Sequence, residues 1–184
     1  MRAGPIARVA AVVALAAAVL PEVPRYRAER GLFRAASALR IAVAGGAPDR
    51  PSALAWTERT AADAARHLPG DPRPLVVAGS ARLAARDPGA ALGWYARAQA
   101  TGERAEIDLN IGRAYMVQHE LAGAQQAFLR AGWLSPLLLA ELPEVARVPL
   151  LEELDRLGTL LATGRLDSPP PPPDVFETAS AEPP

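Results

Sequence analysis

"NIGRAYMVQHELAGAQQAFLRAGWLSP", residues 110–136, spaces small and aromatic residues at helical intervals: Gly112, Tyr115, Ala124, Phe128, Ala131, then Pro136. Positions three, four and seven apart share one face of a helix. The stretch therefore reads as one helix over Glu106–Gln118, a turn at His119, and a second helix over Leu121–Trp133. Small residues at Gly112 and Ala124 let the two axes approach, while Tyr115 and Phe128 fill the wedge between them. Ala131 leaves room for a following element, and Pro136 stops the second helix.

The same grammar extends outward. Residues 26–44 place Leu32, Phe33, Ala36, Leu39 and Val43 at helical spacing, and "GGAPDRP" at 45–51 breaks the pattern. A helix follows from Pro51 or Ser52 to about His67, ended by "LPGDP". Arg73–Arg86 and Ala90–Ala100 form two more, separated by Asp87-Pro88-Gly89. Pro149–Thr163 is amphipathic, with Leu150, Leu154, Leu157 and Leu161 on one stripe and Gly164 as the C-cap. Half of the 184 residues are hydrophobic but only 5% are aromatic, and the apolar content is mostly Ala, Leu and Val. Ala and Leu are strong helix formers, and no β-branched run alternates with polar residues. The expected class is all-α, built from short helical hairpins.

Counted from Ala105, the opening stretch places Ile111, Gly112, Tyr115, Ala124, Phe128, Ala131 and Pro136 at places 7, 8, 11, 20, 24, 27 and 32. This resembles the tetratricopeptide repeat, a 34-residue helix–turn–helix unit. One departure is Asp108, where the pattern has a bulky residue. An earlier copy starts at Pro72, with Leu75, Ala78, Gly79, Ala91, Tyr95 and Ala98 in register. It departs at Arg82, which replaces the aromatic, and at Glu103, which replaces the proline. The resemblance covers 72–138. It implies a short hairpin solenoid, in which 25–71 forms a further hairpin packed on the repeats and 139–165 holds a capping helix.

The ends differ from the middle. Arg2 and Arg8 precede twelve uninterrupted apolar residues, Val9–Leu20, and extension back to Ala3 gives 18 residues. Segment 1–24 is thus expected to hold a hydrophobic helix serving as a single-pass anchor, with residues 3–20 in the membrane and Arg8 snorkelling at its edge. A cleaved signal fits less well, because the small residues Ala16 and Ala18 lie inside the run rather than after it. Arg25, Arg27, Arg30 and Arg34 argue for a cytoplasmic domain. The signal-like order of a short basic segment followed by an apolar run argues for the extracytoplasmic, periplasmic side of a bacterial-type membrane, which is the expectation adopted. Residues 166–184 contain "PPPPP" at 169–173 and seven of the 19 prolines, and are expected to be a disordered extension.

All twenty basic residues are Arg, and they balance twenty acids. Residues 1–113 carry 16 Arg against 10 acids; residues 114–184 carry 4 against 10. No Arg cluster is interleaved with aromatics, so nucleic acid is not the expected partner. Without cysteine there are no disulfides, thiolate metal sites or thiol nucleophile. The two histidines, His67 and His119, sit at a helix end and in a turn, away from any metal spacing. Glu152 and Glu153 are adjacent and do not share a helix face. Gly45-Gly46 is a loop break rather than a phosphate cradle. Neither an enzyme nor a cofactor is expected.

The repeat resemblance implies instead a protein-binding face formed by the first helix of each hairpin, which receives an extended peptide or a helix. Carried over by position, the lining residues are Arg73, Val76, Val77, Ser80, Leu83 and Ala84 in the earlier copy. In the later copy they are Glu106, Leu109, Asn110, Arg113, Met116 and Val117. Arg73, Arg113 and Asn110 among apolar neighbours suit a partner with carboxylate character. The expected function is a membrane-tethered adaptor or scaffold. The alternative is a structural or assembly subunit of a membrane complex, held through its N-terminal helix.

Overall fold

The computed structural model describes residues 22–173 and residue 175, and all regular structure among them is helical. The helices are α1 (Glu22–Val43), α2 (Arg50–His67), α3 (Arg73–Ala84), α4 (Pro88–Gln99), α5 (Ala105–Gln118), α6 (Leu121–Leu134) and α7 (Glu144–Ala162). A 3₁₀ segment, Pro136–Glu141, links α6 to α7. None of the described helices is long and apolar enough to cross a membrane; the anchor expected over 3–20 lies outside the described residues.

Local chemistry sets the boundaries. The Asp49 side chain accepts from the Ser52 amide at 3.1 Å and starts α2, with Pro51 in the first turn. Asp87 does the same for α4 through the Ala90 amide. His119 closes α5 in a left-handed conformation (φ 65°), so that its amide and that of Glu120 satisfy the Met116 and Tyr115 carbonyls. The histidine at this turn is thereby accounted for by the backbone.

Each α-helix packs on the next, up to α7 on α6. In addition α1 touches α3 and α3 touches α5, whereas α2, α4 and α6 do not reach one another. Contact between alternate helices on one side only means that the stack closes on the α1–α3–α5 side and fans open on the other. The inner face is therefore concave.

Glycines set the hairpin spacing where the sequence placed them. A Cβ on Gly79 would lie 2.5 Å from the Tyr95 ring, and one on Gly112 would collide with the Phe128 ring. Tyr95 is fully buried and shares a hydrogen bond of 3.2 Å with Ser80. Burial pushes its hydroxyl up to about 12. Arg82, where the earlier copy lacks its aromatic, forms an ion pair with Glu58 of α2 at 2.7 Å, and Trp94 donates to the same carboxylate. An aromatic contact is replaced by a polar link to the preceding hairpin.

Two expectations need correction at the C-terminal end. The last helix starts at Glu144, not Pro149, which sits inside it. Proline as a first helical residue and proline one turn further in look alike in sequence. Here burial of Leu150 and a close contact of Gly132 with Leu139 and Leu154 hold α7 and the 3₁₀ segment on α6. The proline-rich segment also departs from a disordered extension where it is described. Arg130 Nη1 donates to the Pro170 carbonyl at 2.7 Å, Gln126 Nε2 donates to the Pro172 carbonyl at 3.2 Å, and Val175 is fully buried in the main core cluster.

Candidate binding groove

The concave side carries a groove of about 450 Å³ between α1, α3 and the start of α5. Leu32, Ala36, Val76, Val77 and Ile107 make an apolar lining, and Phe33 stands on it with 71% of its surface exposed. A large aromatic left in water beside an apolar cleft marks a surface suited to a partner's side chains.

Charged residues rim the groove. Arg73 is held by Asp71 (Nε–Oδ1 3.0 Å, Nη2–Oδ2 2.6 Å) and reaches Glu29 of α1 at 3.0 Å. That guanidinium holds the Asp71 carboxyl below its usual range. Arg104 and Glu106 also line the groove, and neither has an ion-pair partner among the described residues. The rim thus keeps Arg104 without a direct ion pair next to the apolar cleft, its charge felt by Asp71 only at longer range.

Of the residues expected on this face, Arg73, Val76 and Glu106 come together in the groove. Ser80 is occupied by Tyr95. Leu109 is corrected to the core: α5 is enclosed by α4, α6 and the 3₁₀ segment, and Ile107, Asp108 and Leu109 are buried in succession. Asn110 accepts from Arg113 at 3.1 Å, and Arg113 in turn binds Glu141 at 2.7 Å. Met116 lines a separate cleft with Leu121, Phe128, Val145 and Pro149. Val117 is half-buried and lies in neither cleft.

The sequence reading missed the contribution of α1. Leu32 and Phe33 both belong to the apolar helical spacing of residues 26–44, yet adjacent residues on a helix point about 100° apart. Leu32 is buried and Phe33 is not. That offset was the available signal.

Asp108, the misfit of the better hairpin, is fully buried away from the groove. Gln99 donates to its Oδ1 at 3.3 Å, and its Oδ2 has no hydrogen-bond partner. Burial, reinforced by Glu103, pushes its carboxyl up to about 7, against the pull of Arg130 and Gln99.

No known protein family, curated protein or solved structure matches this chain.

Proposed function

We propose that this chain is a membrane-tethered adaptor built on tetratricopeptide-like hairpins, and that it captures another protein along the α1–α3–α5 face. The observation that carries this reading is exposed Phe33 over an apolar cleft, with Arg104 at its rim free of any direct ion pair among the described residues. The occupant is an extended peptide or a helix, with apolar anchors for the cleft and a carboxylate for Arg104. The glycine–aromatic contacts at Gly79–Tyr95 and Gly112–Phe128, together with the one-sided stacking of helices, support the hairpin-repeat reading. The tether is the apolar run at residues 3–20, which in the sequence directly precedes α1.

Affinity capture from detergent extract tests the proposal with three chains: the parent, Phe33→Glu combined with Arg104→Glu, and a chain carrying an unrelated anchor. An adaptor loses its partner at least tenfold in the groove variant and keeps it after the anchor swap. A partner that follows the anchor and ignores the groove makes the chain a structural subunit instead. Carbonate extraction tests the tether separately; release into the soluble fraction rules it out.

A further inference from the structure

The docked proline segment has a geometry that a passive spacer does not need. Pro169–Pro173 are five consecutive residues without a backbone N–H, and such a run favours an extended polyproline helix whose carbonyls all face outward. It can only accept hydrogen bonds, so a surface that recognises it must donate them. The exposed side of α6 does so twice: Arg130 to Pro170 and Gln126 to Pro172. The spacings agree. Two residues of polyproline advance about 6.2 Å, and four residues of α-helix advance about 6 Å. Alternate carbonyls of the strap thus meet donors one helical turn apart, with the strap running antiparallel to α6.

The donor side is preorganised. Glu103 grips Arg130 through Nε (2.5 Å) and Nη2 (2.6 Å), which leaves Nη1 for the strap. With the strap docked, the Arg130 side chain is 12% exposed, and the two Glu103 contacts that orient its guanidinium do not involve the strap. Beyond the two accepting carbonyls, Pro173 and Val175 are buried and supply the apolar anchors.

We infer that this face of α6, with Arg130 and Gln126 as donors, is a binding site for proline-rich peptides that the chain occupies with its own residues 170–173 and Val175. The ligand class is an extended peptide with accepting carbonyls two residues apart, followed by a small apolar anchor. In cis, the strap competes at an effective concentration on the order of millimolar. A free peptide of the same kind exchanges with it only at comparable concentration or when the strap is weakened.

The probe is the synthetic peptide Ser168–Val175, "SPPPPPDV". The chain has no cysteine, so Ser168→Cys supplies a single position for a mobility-reporting label in the otherwise intact protein. In the parent the label is restrained, and millimolar peptide frees it; a peptide ending in Asp instead of Val does not. Arg130→Ala frees the label without peptide. A label that is mobile from the start, or that ignores both the peptide and Arg130→Ala, overturns the assignment. In a second arm, Pro170→Gly, Pro172→Gly and Val175→Asp together weaken the strap. Fluorescent peptide then binds at least tenfold tighter than to the parent, and adding Arg130→Ala removes the gain. Equal binding to the parent and to a folded strap variant overturns the proposal. Should the triple variant fail to fold, the label experiment on the intact chain decides alone.

Discussion

The two ends of the concave face are built from the same helices and differ in how completely their arginines are paired. Near α1, Phe33 is exposed over the groove, and Arg104 makes no direct ion pair among the described residues, although its charge helps to lower the Asp71 carboxyl. At the far end of α5, Arg113 is already neutralised by Glu141, which the 3₁₀ segment carries across the face. An arginine on this surface is satisfied by a carboxylate from a neighbouring segment, Arg113 by Glu141 and Arg73 by Glu29 of α1, and Arg104 is left without such a contact among the described residues. Past Glu141 the chain continues into α7 and the proline strap, and both bury apolar residues against the last hairpin. Closure is thus a property of the C-terminal segments and not of the repeat itself.

The strongest way to break this contrast is to remove what closes one end. Truncation after Pro136 strips Leu139, Leu150 and Val175 from the main core cluster. The last hairpin then presents an apolar face with nothing to cover it. The expected outcome is loss of soluble monomer, read by light scattering coupled to size exclusion. A truncated chain as stable and monomeric as the parent removes the capping role.

Asp108 tests the closed end more gently. Its folded-state value of about 7 lies above the ordinary 3.8, so the folded chain binds this proton more tightly than the unfolded one. The stability it permits is complete below about pH 4, declines as pH rises toward 7 and levels off above that. The size is on the order of 2–4 kcal/mol. Asp108→Asn keeps an acceptor for Gln99 and carries no titrating proton. It should match the parent near pH 4, exceed it at pH 8, and flatten the slope of urea midpoints between. If the slope persists in the variant, its source lies elsewhere.

The glycines are the part of the design that both ends share. Gly79→Ala and Gly112→Ala each push a methyl into a ring, Tyr95 or Phe128, and each should cost about 1–3 kcal/mol despite alanine's better helix propensity. Combining Gly112→Ala with Phe128→Leu should recover part of that loss in a double-mutant cycle. Independent, additive effects would mean that the glycine and the ring do not set the hairpin spacing together.

What could be seen in the sequence follows the range of the interactions. Helices, their caps at Asp49 and Asp87, and the glycine–aromatic contacts depend on residues close in sequence or at repeat spacing, and they were legible. Arg73, Val76 and Glu106 fall together in the groove at positions that the repeat resemblance assigns to the inner face. Leu109, Arg113 and Met116 lie outside that groove, because segments beyond the two hairpins cover or divert them. The proline strap was illegible for the same reason. Five prolines look alike as a spacer and as a ligand, and the difference lies in Gln126 and Arg130, 46 and 40 residues before the carbonyls they meet. Asp108 stood out as a misfit, but its missing hydrogen bond is a tertiary fact.

The smallest expected effect on stability is the most informative about the open end. Phe33 is 71% exposed, so replacing it with Ser removes little buried area and should change the unfolding free energy, read from urea titration, by less than about 0.5 kcal/mol. Leu32, one residue earlier, is buried against the second hydrophobic cluster, and Leu32→Ala should cost about 2–4 kcal/mol. A residue held for folding and one held for binding thus sit side by side on α1, and only stability measurements on both separate the roles. If Phe33→Ser destabilises as much as Leu32→Ala, the aromatic belongs to the fold and the groove loses its anchor. If it leaves stability intact and still abolishes capture, the open end is kept apolar for a partner.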